Sequence, residues 1–293
     1  MKPALVSICI PTFNGSEFIT EAMDSAISQS YPNLEIIVSD DDSDDNTLEI
    51  IETYKTQTEI PIYIYHHKPQ GIGANWNHCI QKANGVYIKF LFQDDILLPN
   101  CIEEMVKVLE ADQTIAIVAS KREFIIEDSY LNEETKIWIN SYRDNEANLD
   151  LPKENGLSIL DKQIFRSKKF FESPRNKVGE PSNILFRKKT IKEIGYFRED
   201  LKQILDYEFY YRALKNNRIA ILQNVLVKFR LHHNQTTNHN KGNDKEDYVI
   251  YDKIMYRQYF WYLNRDSQKY FFLKFNPIAR ISATIINRIK RVL

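Results

Sequence analysis

Apolar residues in this chain come in short blocks whose period switches between that of a strand and that of a helix. Leu5-Val-Ser-Ile-Cys-Ile10, Leu34-Glu-Ile-Ile-Val-Ser39, Ile60-Pro-Ile-Tyr-Ile-Tyr65 and Val86-Tyr-Ile-Lys-Phe-Leu-Phe92 are strand-length runs rich in β-branched and aromatic residues. Runs of this kind read as strands buried on both faces. Pro61 puts the third of them nearer a sheet edge. Between the runs, apolar positions fall at helical spacing. Phe18, Ala22, Met23, Ala26 and Ile27 share one face of a helix from about Ser16 to Ser30. Leu48, Ile51 and Tyr54 mark a second helix, capped by Ser43 or Asp44. Gly71-Ile-Gly-Ala-Asn-Trp-Asn-His78 opens a third, which ends near Gly85. Ile102, Met105, Val106 and Leu109 define a fourth beyond Pro99, and a strand from Ile115 to Ala119 follows. Regular β-α alternation with short connections predicts an α/β fold with a doubly wound, mainly parallel sheet.

The rhythm breaks after Ser120. Residues 127–156 are polar with few apolar anchors, which predicts an irregular excursion or flexible lid. An amphipathic helix is expected from Asp161 to Phe171, a strand over Ile184 to Arg187 and a short helix ending at Gly195. A helix from Asp206 to Asn216 and a strand from Ile219 to Leu231 come next, and residues 244–293 read as two further helices. In the last of these, seven apolar residues from Ile278 to Leu293 share one face, while Arg280, Arg288, Lys290 and Arg291 lie off it. Such a helix either lies on an anionic membrane surface or docks on the domain or on a second subunit as a homodimer contact.

The bulk numbers remove several classes of function. A net charge of −1 gives no electrostatic case for nucleic acid as a partner. Cys9, Cys79 and Cys101 form no CxxC pair and read as reduced core residues, and no signal peptide follows Met1, so a cytoplasmic protein is expected. No apolar run approaches the ~20 residues that span a bilayer.

Two acidic clusters carry the candidate chemistry. Asp94 and Asp95 follow the Val86–Phe92 run, where open α/β sheets bind ligands, and two adjacent acids there suit a cation or else cap the next helix. Asp40-Asp-Asp-Ser-Asp-Asp45 follows the second strand. As an EF-hand loop it would need Gly at position six and Glu at position twelve, and these are Asp45 and Ile51. A carboxylate there can instead accept from a base N–H or a ribose hydroxyl, although Asp44 and Asp45 also suit helix capping. Neither GxGxxG nor GxxxxGK[ST] occurs, so a diphosphate would require a metal for neutralisation. Asn75 and Asn77, beside Gly71, are ligands or caps.

Val6-Ser-Ile-Cys-Ile-Pro-Thr-Phe-Asn14, Val38-Ser-Asp-Asp-Asp-Ser-Asp-Asp-Asn-Thr47, Gly71 to Asn77 and Phe90 to Asp95 occur in order and at matching intervals. Together with Gly195-Tyr-Phe197, Leu205-Asp-Tyr-Glu-Phe-Tyr-Tyr-Arg212 and Arg230-Leu-His-His-Asn-Gln-Thr-Thr237, the set resembles glycosyltransferase family 2, inverting enzymes of the GT-A fold. The resemblance covers about residues 4 to 240. It implies a nucleotide-sugar-binding half over 1–120, an acceptor-side, catalytic half over 121–240 and a helical appendage over 241–293. It further implies a sugar transfer from a UDP-linked donor to a saccharide or lipid-linked acceptor in surface polysaccharide assembly, at or near the inner membrane face. Pro11, Thr12, Asn14, Asp40, Asp41, Gly71, Asn77 and Gln93 would border the nucleotide. Asp94 and His232 would hold Mn2+ or Mg2+, and Asp206 would be the catalytic base. Three positions depart from the pattern. Phe92 stands where a DxD motif has its first acid, Trp76 where an arginine is common, and Leu205 where an acid often precedes the base.

Such a transfer needs one general base to take the acceptor hydroxyl's proton. Asp206 fits that role or that of an N-cap. His232 and His233 end a strand with side chains on opposite faces, so one is a metal ligand or both are loop histidines. Alternatives to the transferase are a nucleotidyltransferase and an inactive sugar- or nucleotide-binding module.

Overall fold

The structure is a computed structural model, and it describes residues 2–235 and 244–279. The chain runs β1 Val6–Thr12, α1 Ile19–Ile27, β2 Leu34–Asp40, α2 Thr47–Tyr54, β3 Ile62–His66, α3 Ile72–Lys82 and β4 Tyr87–Phe90. It continues with β5 Ile96–Leu97, α4 Cys101–Ala111, β6 Ile115–Ile126, α5 Glu133–Tyr142, β7 Lys153–Glu154 and β8 Leu157–Leu160. Then follow β9 Ile184–Arg187, α6 Thr190–Ile194, α7 Leu205–Leu214, β10 Arg218–Leu231, α8 Asp244–Ile254 and α9 Arg265–Phe275.

One mixed sheet joins these strands in the order β3-β2-β1-β4-β9-β6-β10-β8-β7, with β5 paired to β10. From β3 to β10 the strands are parallel except β9, which runs antiparallel to β4 and β6. Alternation along each strand builds the two layers. Val6, Ile8 and Ile10, with Leu34, Ile36 and Val38, pack with residues of α1, α2 and α4. Cys9, Ile37, Ile88 and Phe90 face the other way and pack with Trp76, Cys79 and Ile80 of α3 and Phe209 of α7. β4, the expected central strand, is buried along its whole length, Lys89 included. All three cysteines are free and buried.

Four sequence expectations need correction. The helix expected over 161–171 is two 3₁₀ turns, Lys162–Arg166 and Lys168–Phe171. Asp161 accepts from Gln163 N at 2.7 Å and Ser167 accepts from Lys169 N at 3.2 Å, so each starts its own short turn instead of continuing one helix. The irregular stretch 127–156 contains α5, whose cap Asn132 accepts from Thr135 N at 2.9 Å. Its mostly exposed faces hid the helical period. α2 begins at Thr47 and not at Ser43 or Asp44, because Ser43 and Asp45 bond to Asp40 and Ser16 instead. The strand expected to run to Phe92 ends at Phe90, where Phe92 N turns to the Ser182 hydroxyl at 3.0 Å. Most of the basic amphipathic helix expected at the carboxyl terminus, from residue 280 on, lies outside the described residues.

At the amino-terminal rim of the sheet, a buried Glu35 gathers the α3–β4 turn. It accepts from Ser7 Oγ at 2.5 Å, Asn84 N at 2.6 Å and Asn84 Nδ2 at 3.1 Å. Gly85 must come close enough to donate to Ser7 Oγ at 2.8 Å, and a Cβ on it would stand 2.6 Å from both Ser7 N and Ser7 Oγ. Gly85→Ala is therefore expected to destabilise the fold by about 1–3 kcal/mol through overpacking. Urea unfolding is the measurement: the midpoint falls and the slope stays unchanged.

Candidate active site

Pro11, Thr12, Asn14, Asp40, Asp41, Gln93 and Asp94 sit at the carboxyl ends of β1, β2 and β4 or in the loops beside them, whereas Gly71 and Asn77 belong to α3 and its start, Asp206 to α7, and His232 follows β10. Pro11 and Thr12 close β1, and Asn14 takes a positive φ of 46° in the loop beyond. Thr12 Oγ1 donates to Asp40 Oδ1 at 2.8 Å, and Asp40 also accepts from Ser43 Oγ at 2.7 Å and Ser43 N at 2.9 Å. Asp40 is fully buried and both its oxygens are engaged within the fold. Asn14 accepts from Asp44 N at 2.9 Å and its own N–H donates to Ser43 Oγ at 2.9 Å, tying the two loops together.

Asp41 differs from its neighbour. Its Oδ1 lies 2.9 Å from His67 Nδ1, a charge contact, yet no donor is aligned to hydrogen-bond it. Burial pushes its carboxyl up, Asp40 and Asp42 add to that, and His67 opposes it. Asn75 Nδ2 donates to Thr12 O at 3.3 Å, and Asn75 Oδ1 is likewise buried without a donor. Two unsatisfied acceptors therefore border the same strand end.

Gly71 starts α3 with φ of 96°, a left-handed conformation suited to glycine. Asn77 faces elsewhere. Its Nδ2 donates to Phe197 O and Glu199 Oε1, both at 2.9 Å, and its Oδ1 accepts from Phe197 N at 3.0 Å. Its carboxamide thus fastens α3 to the loop after α6. Gln93 is committed too: it donates to Phe13 O at 3.0 Å and accepts from Phe13 N at 2.9 Å. This clamp joins the β1 and β4 loops, and it needs Gly15, whose Cβ would lie 2.3 Å from Gln93 Oε1.

Asp94 and Asp95 divide between inside and outside. Asp95 is fully buried and accepts from Arg230 N at 3.1 Å. Burial and the adjacent Asp94 push its carboxyl up, against the Ser182 hydroxyl and the Arg230 amide. Asp94 is partly exposed, and its Oδ2 lies 3.0 Å from His232 Nε2. His232 directly follows β10, buried edge-on against Phe18 with ring centroids 4.7 Å apart. The expected metal ligands are thus neighbours. Among the described residues, no group of three or more His, Cys, Asp and Glu side chains is arranged to hold a metal.

Asp206 is the second residue of α7; the N-cap position belongs to Ile204. Its Oδ2 accepts from Asn176 Nδ2 at 2.7 Å, while Oδ1 is buried without an aligned donor. Burial pushes this carboxyl up to about 7; Glu180 pushes the same way, and the amides of Tyr207 and Asp206 and the Asn176 side chain oppose it. A cleft of about 350 Å³ opens beside Asn176 and Tyr207, lined also by Tyr142, Phe171, Ser173, Arg175 and Tyr248.

The segment 176–183 connects the two halves of the site and carries no pattern that marks it in the sequence. Asn176 holds Asp206, Glu180 pairs with Arg122 at 2.7 Å, and Ser182 accepts from Phe92 N ahead of Asp94. Irregular backbone has no period, and side chains that bond across the fold leave no trace in local sequence.

The chain resembles proteins of one kind throughout. Residues 7–195 match the model of glycosyl transferase family 2. An uncharacterised glycosyltransferase of Rickettsia typhi is 32% identical over 235 residues, which are 80% of this chain and 66% of the relative. One of Rickettsia felis is 29% identical over 259 residues, 86% of this chain but only 38% of the relative, so the chain spans less than two thirds of these relatives. Among solved structures, S. aureus TarS 1-349 superposes with a TM-score of 0.62 at 18% identity, covering 92% of this chain and 72% of that one. The same protein in complex with UDP-GlcNAc gives 0.59 at 21% identity, covering 79% and 60%. A mannosyltransferase of Pyrobaculum calidifontis in complex with GDP-Man and Mn2+ gives 0.57 at 14% identity, covering 96% and 79%. The fold is that of the GT-A glycosyltransferases, and the chain belongs to glycosyl transferase family 2.

Proposed function

We propose that this chain transfers a sugar, with inversion, from a nucleoside diphosphate donor to a hydroxyl of a saccharide or lipid-linked acceptor. UDP is the favoured nucleotide, and surface polysaccharide assembly the favoured setting. The observation that carries the reading is Asp206: a carboxyl raised to about 7, held at one oxygen by Asn176 and unpartnered at the other. That is the condition a general base needs near neutral pH.

In this reading the acceptor hydroxyl attacks the anomeric carbon from the face opposite the diphosphate. Its proton passes to Asp206 Oδ1, the carbon–oxygen bond to the donor breaks, and the nucleoside diphosphate leaves. Asn176 keeps the receiving oxygen oriented. Asp41, whose buried Oδ1 lacks an aligned donor, takes an N–H of the base. Pro11, Thr12, Asn14 and Gly71 border the nucleotide, and Asp40, Asn77 and Gln93 hold those loops in place.

Asp94 and His232 offer one carboxylate oxygen and one imidazole nitrogen, a donor pair of the kind that would hold a divalent ion. Bound there, Mn2+ or Mg2+ would offset the charge of the leaving diphosphate.

Asp94→Asn is expected to keep the fold and weaken metal-dependent UDP binding by about tenfold or more, the loss of one charged ligand. Calorimetry with UDP and GDP, with and without Mn2+, measures this, and unchanged affinity and metal stoichiometry would remove Asp94 from the site.

Asp206→Asn is expected to keep nucleotide binding and to lose transfer by about 10²- to 10⁴-fold. Release of UDP or GDP from a donor panel supplies the readout, and a wild-type chain that binds donors without turning any over would favour the inactive binding module. Stability gives an independent check. Because the folded carboxyl sits above its ordinary value of 3.8, ionising it destabilises the native state. The penalty sets in as pH rises above about 4 and is complete above about 7. Asp206→Asn lacks that penalty, so at pH 8 it should unfold at higher urea than the wild type, with the gap shrinking as pH falls.

A further inference from the structure

We propose that the cleft beside Asp206 admits an acceptor that carries a negative charge, a saccharide bearing a phosphate or carboxylate, with Arg175 as its counter-ion. The inference rests on the transferase reading, since it takes this cleft as the acceptor's side of the same site. Asn176 lines the cleft and bonds directly to Asp206, and Tyr207 is the next residue along α7. An acceptor seated there would touch Asn176, which holds the base, and Tyr207, its neighbour on α7.

The lining is aromatic, with Tyr142, Phe171, Tyr207 and Tyr248, and Arg175 is its one charged side chain. Flat rings with few polar groups suit the apolar face of a sugar ring. The Tyr207 hydroxyl is buried without a partner.

Arg175 stands apart from the other well-covered arginines. Arg122 pairs with Glu180 at 2.7 Å, Arg212 with Glu208 at 2.9 Å and Arg230 with Glu21 at 2.9 Å. Arg187 donates to Ile115 O at 2.9 Å and to Leu109 O. Among the described residues no carboxylate pairs with the half-buried Arg175, whose guanidinium lies 4.7 Å from the centre of the Tyr248 ring. A guanidinium partly removed from water without an anion costs the fold free energy, and its fork geometry matches carboxylate and phosphate. The neighbouring cation, Lys177, is occupied: it donates to Asn148 Oδ1 at 3.0 Å and Glu172 O at 2.9 Å.

The test is calorimetry on the full chain with saturating UDP or GDP and Mn2+, titrating glucose, glucose 6-phosphate and glucuronate at one ionic strength. The expected result is that the anionic probes bind about tenfold tighter than glucose, the scale of a charged hydrogen-bonded pair. Arg175→Ala should abolish that preference and Arg175→Lys should retain part of it. A larger gain for glucose 6-phosphate identifies a phosphorylated acceptor, and a larger gain for glucuronate a sugar acid. Equal binding of the three probes by the wild type overturns the inference, as does a preference that survives in Arg175→Ala. So does an equal loss of UDP and GDP affinity in Arg175→Ala, which would assign the guanidinium to the donor. Nucleotide binding by the wild type separates the two readings: with it intact, only the acceptor inference falls, and without it both fall.

Discussion

A carboxylate can be taken out of water only where other groups replace its hydration, and Asp95 is fully buried at the point where four segments meet. Its Oδ1 accepts from Arg230 N on β10, its Oδ2 is buried without an aligned donor, and the Ser182 hydroxyl it contacts also receives Phe92 N just beyond β4. Lys89, equally buried on β4, donates to the carbonyls of Ser182 and Ile184. A buried acid and a buried amine therefore both lean on the same serine. Removing the Ser182 hydroxyl would strand Phe92 N and take away a support of Asp95, and each unsatisfied buried group costs about 1–3 kcal/mol. This arrangement is what fixes where Asp94 stands.

Twice after a strand of this sheet, adjacent acids divide into one engaged within the fold and one left with a freer oxygen. Asp95 turns inward and is absorbed by the fold, leaving Asp94 facing His232. Asp40 turns inward to Thr12 and Ser43, leaving Asp41 with a buried oxygen beside His67 Nδ1 to which no donor is aligned. In each pair the inner acid orders the loop that presents the outer one. The paired acids that follow β2 and β4, the strands on either side of β1, are thus one supporting and one outer residue each, not two equivalent groups.

The strands were legible because burial on both faces forces runs such as Ile8-Cys-Ile10 and Ile36-Ile-Val38, which no exposed segment needs. The α7 helix was legible from Phe209, Tyr210, Ala213 and Leu214, all buried. What stayed hidden has a different physical basis. The 3₁₀ turns over 162–171 place Phe165 and Phe170 in the core with a helical look to their spacing, and only the local caps Asp161 and Ser167 divide them. α5 lacks an apolar face because little of it is buried. The strand β5 has two residues, too short to carry any period, and it pairs antiparallel with β10 at Val227 and Lys228. Asn176, Glu180 and Ser182 act across the fold, so local sequence says nothing of their roles.

Two effects compete over Asp206, and their sizes decide its chemistry. Standing in the first turn of α7, it meets the positive end of the helix, which favours the carboxylate by about 0.3–1 kcal/mol, up to ~2 when partly buried. Burial among Tyr207, Tyr210 and Tyr211 disfavours the same charge, and the rise from 3.8 to about 7 corresponds to roughly 4 kcal/mol at about 1.4 kcal/mol per unit. Burial wins by a factor of two or more. Had the helix end prevailed, the group would remain a weak base ionised far below neutral pH, adequate as a cap and poor at taking a proton. The Asn176 bond keeps the outcome from going further, because it stabilises the ionised form at one oxygen while leaving the other bare. The position that looked like a helix cap in the sequence is therefore one where the cap's own electrostatics have been overruled by the aromatic residues packed around it.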